Sequence, residues 1–420
     1  MSKRLLFVSL VFAPSLALSA QQGAPDIGDR LLREATVRAA LEAAKRNEPQ
    51  VLEEQVRLCE IPAPPFKEEK RGVAMKAVFE RLGLKNARID EIGNVLGERP
   101  GKSANPQLVF AAHLDTVFPE GTDVRVKRDG SVLRGPGIGD DCRGLAVLIG
   151  VTRALDEAKV ETPGTITFVA DVGEEGLGDL RGVKHLFEKT LKGKIDRFVS
   201  VDGIGLGYTH VGVGSYRYRV TFKGPGGHSY GAFGLANPIH ALGRAIATIS
   251  DFEVPSEPKT TFNVGRIGGG TSVNSIAFEA WAEVDMRSHD KASLDRVDRL
   301  FNEAVDAALE RENARWKGRG ALSVVKDKVG VRPPGQTPAD SAIVSTAVSV
   351  TKALGFAATT HPGSTDSNVP MWLGIPAVTI GGGGSSAGTS AHSPNEAFDT
   401  ADSWKGTQRA LLLAIALAQP

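Results

Sequence analysis

Two textures of apolar and polar positions divide the chain. Between residues 90 and 205, short continuous apolar runs alternate with longer stretches in which apolar residues recur every three or four positions. Runs of this length fit buried strands, and the longer period fits amphipathic helices. The reading gives strands near 93–98 and 107–112, at TITFVAD (165–171) and at RFVSV (197–201), with helices over Leu145–Glu157 and Gly178–Thr190. Upstream, residues 29–58 carry one or two amphipathic helices, IPAPP (61–65) fixes an extended loop, and a helix over Lys67–Leu82 stops at Gly83. Strands alternating with helices define an α/β sheet flanked by helices.

Near residue 213 the pattern changes. SYRYRVTFKG alternates strictly, as a half-buried strand does, and TTFNVGRIGG and SIAFEAWAEVDMRS read as two longer alternating strands. Helices at Asn237–Ile249 and Lys291–Arg311 and a last strand at ALSVVKDKVG complete a β-α-β-β-α-β order, a compact α+β layer. The first texture returns from 340, with helix Ala339–Leu354, strand PAVTIG and helix 402–418. The expected organisation is a discontinuous main domain, 21–212 and 331–420, interrupted by a second domain over 213–330. A length of 420 residues, beyond what one core usually serves, agrees with two domains.

The first twenty residues, MSKRLLFVSLVFAPSLALSA, pair a basic start with a short apolar stretch broken by Pro14. They are expected to be a signal peptide rather than a membrane span, cut after Ala20 or Ala17, which places the mature protein in the periplasm or outside the cell. The formal charge of +1, and the lack of a basic stripe interleaved with aromatics, argue against a nucleic-acid partner. Cys59 and Cys142 stand alone, so export leaves two states open, one disulfide or two buried thiols.

The chemistry concentrates where apolar runs end. ITFVAD leads to the adjacent acids Glu174–Glu175, LVFAA leads to His113 and Asp115, GPGIG to Asp140–Asp141, and RFVSV to Asp202. Neighbouring carboxylates at the end of a buried strand are costly unless solvent or a positive charge holds them. Open α/β sheets collect their ligands outside the carboxyl ends of the strands, and His392 follows the glycine run 381–384 in a similar loop. Two imidazoles among several carboxylates form a mixed N/O set suited to Zn²⁺, with Mn²⁺ or Co²⁺ as alternatives, and the cluster is richer than one tetrahedral ion requires.

These residues stand in six ordered motifs: HLDT (113–116), GIGDDCRG (137–144), GEEGLGDLRG (173–182), VDG (201–203), GPGGHSYGAFG (224–234) and GTSAHSPNE (388–396). In them the chain resembles the M20 family of two-metal peptidases and amidohydrolases, over nearly its whole length, and most closely its tripeptide aminopeptidase-like and glutamate carboxypeptidase-like members. The resemblance implies a zinc-peptidase-like mixed sheet between helices, with the inserted domain acting as lid and dimerisation domain. It implies His113, Asp140, Glu175, Asp202 and His392 as ligands of two divalent ions. In that scheme Asp140 bridges the ions, and Glu174 is the general base that takes a proton from the attacking water.

Asp115 would orient the His113 ring, or else cap the following turn. The Asp140–Asp141 bond is expected to be cis, with Asp141 outward or structural. His228 would reach a partner subunit's oxyanion, or else be a turn histidine. Arg287 and Asn274 would hold a substrate carboxylate, and the loop from Gly363 with Asp366 would read a free amine. Cys142 stands where many relatives carry lysine, as a stray soft ligand or a buried filler. The activity implied is exopeptidase cleavage of short peptides by a homodimer. Deacylation of N-acyl amino acids and a decayed, metal-dependent peptide-binding protein are the rivals.

Overall fold

The computed structural model describes residues 26–420, so the expected signal peptide lies outside the described residues. Seven strands form the central sheet in the spatial order Lys85–Ile89, Val95–Arg99, Thr165–Asp171, Gln107–His113, Arg197–Val201, Ala377–Ile380 and Tyr208–Thr209. The four from Thr165–Asp171 to Ala377–Ile380 run parallel, and antiparallel strands flank them. Their side chains are buried along almost their entire length, which is why they read as continuous apolar runs. The sheet is covered on both faces. Helices Ala35–Cys59, Cys142–Glu157, Ala342–Ala353 and Trp404–Leu417 build one core against it, while Val183, Leu186, Phe187, Val369 and Met371 build a smaller one.

The inserted domain follows the expected order. Its sheet runs Thr260–Gly269, Glu279–Ser288, Gly214–Lys223, Ser323–Arg332, all antiparallel. Helices Pro238–Ser250 and Lys291–Arg315 pack on one face around Tyr218, Phe222 and Phe301. Its entrance and exit are adjacent, because Ser215 pairs with Arg332 and, one step outward, Val211–Gly212 pairs with Gly335–Gln336. No helix among the described residues is long and apolar enough to cross a membrane.

Two local expectations are corrected, and one open alternative is decided. SIAFEAWAEVDMRS is two strands, because Ser275–Ile276 turns away to pair with Gly227–His228 before Glu279–Ser288 begins. The expected helix over Gly178–Thr190 is a helix only from Arg181. Asp179 and Leu180 adopt left-handed backbone angles, and the Asp179 carboxylate is engaged by the Val331 N–H at 2.9 Å. Finally, Cys59 and Cys142 are joined in a disulfide with Cα atoms 5.5 Å apart, rather than held as thiols. Cys142 is thus neither stray ligand nor mere filler.

The bond closes a sequence separation of 83 residues and ties the end of helix Ala35–Cys59 to the first residue of helix Cys142–Glu157, just after the loop that carries Asp140. Cys142→Ser is expected to lower stability by about 2–4 kcal/mol, read as a reduced denaturation midpoint in urea with a steeper slope, because the unlinked chain unfolds to a more open state.

Candidate metal centre

The parallel strands bring their carboxyl ends to one edge of the sheet, and the candidate donors gather there. His113 closes its strand and is buried; Glu174 and Glu175 follow Asp171 by three and four residues; Asp202 follows Val201. Asp140 arrives from the loop before helix Cys142–Glu157 and joins Asp141 through a cis peptide. His113, Asp140 and Glu175 place ligand atoms within 4.8 Å of one another. The two oxygens of Asp140 face different imidazoles: Oδ1 lies 3.0 Å from His113 Nε2, and Oδ2 lies 3.2 Å from His392 Nε2. His392, 54% exposed, also lies 3.0 Å from Glu175 Oε1.

Charge is badly balanced at this edge. Asp115, Asp141, Asp171, Glu174, Glu175 and Asp366 are buried around Asp140 and Asp202, and Arg332 brings one guanidinium. Burial opposes a charge on His113, yet the carboxylates of Asp115 and Asp140 override it and hold the imidazolium well above its ordinary range. Hydrogen bonds to Asp140 and Glu175 push His392 up to about 10. Burial pushes Glu174 up to about 7 against the pull of Arg332, and burial with the charge of Asp140 raises Asp202 well above the carboxylate range. Every one of these shifts is a demand for positive charge. An N/O donor set in such surroundings fits divalent cations.

Several residues act differently from their expected parts. The His113 ring is oriented by the main-chain carbonyl of Asp115, 3.0 Å from Nδ1, while the nearest Asp115 carboxylate oxygen is 3.6 Å away. That carboxylate instead accepts the N–H groups of Glu174 and Glu175 at 3.0 and 2.8 Å, fixing the backbone of the acidic pair. Asp141 is fully buried and takes the structural one of its two expected parts. It caps helix Cys142–Glu157 through the Gly144 N–H and accepts the His113 N–H at 3.1 Å. Asp366 is buried against Asp171, and neither of its oxygens receives a hydrogen bond from a protein N–H group. Burial pushes Asp171 up to about 8, and burial with the Asp171 charge raises Asp366 well above the usual range. Gly363, Thr365 and Asp202 line a cavity of about 170 Å³ beside the cluster.

The lid candidates stand apart from the cluster. His228 and Asn274 share one exposed corner, where the Ser229 N–H donates to the Asn274 carbonyl at 2.9 Å and His228 Nδ1 receives the Tyr230 N–H at 3.2 Å. Arg287 pairs with Asp285 at 2.6 Å and lines a cavity of about 580 Å³ with Lys259, His289 and Pro362.

Two residues of the site were not read from the sequence. Glu396 receives the N–H groups of Gly139 and Asp140 at 2.7 and 3.0 Å, so the loop that carries His392 also holds the loop that carries Asp140. Its signal was the carboxylate four positions after His392. Arg332 binds Glu174 from the lid strand, and no local pattern marks it.

A three-layered helix–sheet–helix domain with a lid, and an imidazole–carboxylate cluster at its carboxyl edge, defines a metallohydrolase. The model of peptidase family M20/M25/M40 matches residues 109–416, and the chain belongs to that family. Among its relatives is an uncharacterized protein, YqjE of Bacillus subtilis, 27% identical over 352 residues that cover 80% of this chain and 90% of the relative. A succinyl-diaminopimelate desuccinylase of Methylobacillus flagellatus is 27% identical over 308 residues, 68% of this chain and 79% of that one. The fold matches a crystallised tripeptidase of Staphylococcus aureus with a TM-score of 0.71 at 23% identity, covering 89% of this chain and 99% of the other.

Proposed function

We propose that this chain is an exported two-cation exopeptidase that hydrolyses amide bonds of short peptides. The observation that carries the reading is the Asp140 carboxylate, one oxygen turned to each imidazole, as a ligand shared between two cations would be. His113 with Asp202 would hold one ion and His392 with Glu175 the other. When bound, such ions polarise the amide carbonyl and acidify a water molecule. Glu174 takes the proton of the attacking water and delivers it to the leaving amine, a task suited to a carboxylate whose affinity for protons burial has raised. Arg287 offers a guanidinium to a peptide carboxylate.

The homodimer belongs to this reading. Tyr230, Phe233, Val273 and Phe278 expose large apolar side chains around the His228 corner of the lid, a patch that a second copy would cover while His228 reaches its oxyanion. Export is supported by the disulfide, a bond that persists in oxidising compartments.

Deacylation of N-acyl amino acids is the second reading, favoured by the desuccinylase among the relatives. The protein incubated with Zn²⁺, Mn²⁺ or Co²⁺ and a panel of free, N-blocked and C-blocked tripeptides and N-acyl amino acids separates the two by mass spectrometry of products. Cleavage of free tripeptides is the expected result, and the blocked forms show which terminus is required. Products from N-acyl amino acids alone would replace the peptidase reading with deacylation, and no products from any substrate would refute both.

A further inference from the structure

The proposed base is gripped by a residue of the other domain. Strand Ser323–Arg332 ends the lid, and its last two residues dock on the catalytic domain. Val331 donates its N–H to the Asp179 carboxylate at 2.9 Å and accepts Lys184 Nζ on its carbonyl at 2.9 Å. From the next position Arg332, buried, sends its guanidinium to the sheet edge. Nη1 donates to Glu174 Oε1 at 2.8 Å and to Ser364 Oγ at 3.1 Å, and Nη2 donates to the Glu174 main-chain carbonyl. With its own N–H given to Asp115 Oδ1 at 3.0 Å, Glu174 is held at its amide, its carbonyl and one carboxylate oxygen, which leaves Oε2 for chemistry.

We propose that Arg332 is a positioning residue for the general base: its planar fork fixes backbone and carboxylate of Glu174 together, and ties that geometry to the hinge. A buried counter-ion alone would need one contact with the carboxylate. The second contact, to the carbonyl of the same residue, fixes the orientation of the side chain relative to its backbone, and lysine, with all its donors on one nitrogen of a flexible stem, holds such a pair less rigidly than the planar fork does. Because Ser215 pairs with Arg332, the two chain crossings between the domains meet at this contact, so displacement of the lid at its stem would move the fork as well.

The inference rests on Glu174 being the base. Wild type, E174Q, R332K and R332M are assayed in parallel on the peptide cleaved best, with cation content and melting temperature measured for each. R332K is expected to lose about 10- to 100-fold in kcat with KM within about twofold and with cations and melting temperature retained. R332M is expected to lose more, and added methylguanidinium to restore part of its rate. Wild-type kcat in R332K and R332M beside an inactive E174Q would overturn the role of Arg332 and leave the base assignment standing. Loss of rate in R332K that appears only with loss of cations or of thermal stability would show a structural counter-ion and also overturn it. An active E174Q would remove the premise.

Discussion

Glu174→Gln is expected to reduce kcat by about 10²- to 10⁴-fold, the range that a positioned proton acceptor contributes. The amide keeps the shape of the side chain and can still accept from Arg332 Nη1, and the main-chain clamp by Asp115 and Arg332 does not depend on the carboxylate. Cation content and melting temperature should therefore stay near the wild-type values while turnover collapses. The pH profile gives the same assignment a second check. Burial pushes Glu174 up to about 7, and bound cations would draw it lower, so the acid limb of kcat/KM should fall below pH 7. Activity must decline as pH drops through that limb, because the protonated acid cannot accept the water proton. Turnover by E174Q within tenfold of wild type would remove Glu174 from the role of base.

Stripping the cations with a chelator should abolish turnover and lower stability together. A ligand present at a thousand times its dissociation constant stabilises the native state by about 4 kcal/mol, and that amount is lost on removal. The stripped protein should also respond to pH in a defined direction. Asp171 and Glu174, pushed up to about 8 and 7, and Asp202, raised well above its range, bind protons in the folded state that the unfolded chain has released. With more protons bound folded than unfolded, stability falls as pH rises from about 5 to 8. His392, pushed up to about 10, acts in the same sense, since its contribution is complete below the unfolded value and lost on the alkaline side. Urea midpoints across this range should drop steeply for the stripped protein and less for the loaded one. Equal slopes would mean that no cation neutralises these acids.

The sheet edge was legible because strand and donor are neighbours in sequence. His113, Asp202 and the Glu174–Glu175 pair each follow an apolar run, so finding the strand finds the donor. The lid was legible from period alone, as the burial of Glu279–Ser288 alternates without a break. What escaped depends on pairs far apart in the chain. Arg332 meets Glu174 across 158 positions, and Glu396 meets Asp140 across 256. The Cys59–Cys142 bond has the same character, and composition left both of its states open. Direction was equally hidden: Asp366 stands in the expected loop, but its side chain turns inward to Asp171, and a loop sequence does not specify which way its acid points.

The short ladder of Val211–Gly212 with Gly335–Gln336 makes the lid a cassette. Whatever lies beyond, these two segments already pair antiparallel, the posture of a hairpin awaiting only its turn. The ladder thus closes residues 213–334 into one loop at its stem. Substitutions or exchanges within the cassette can reshape what is admitted to the metal edge while the ledge that performs the chemistry stays the same, provided that the arginine at the cassette's final rung keeps its hold on the acid below.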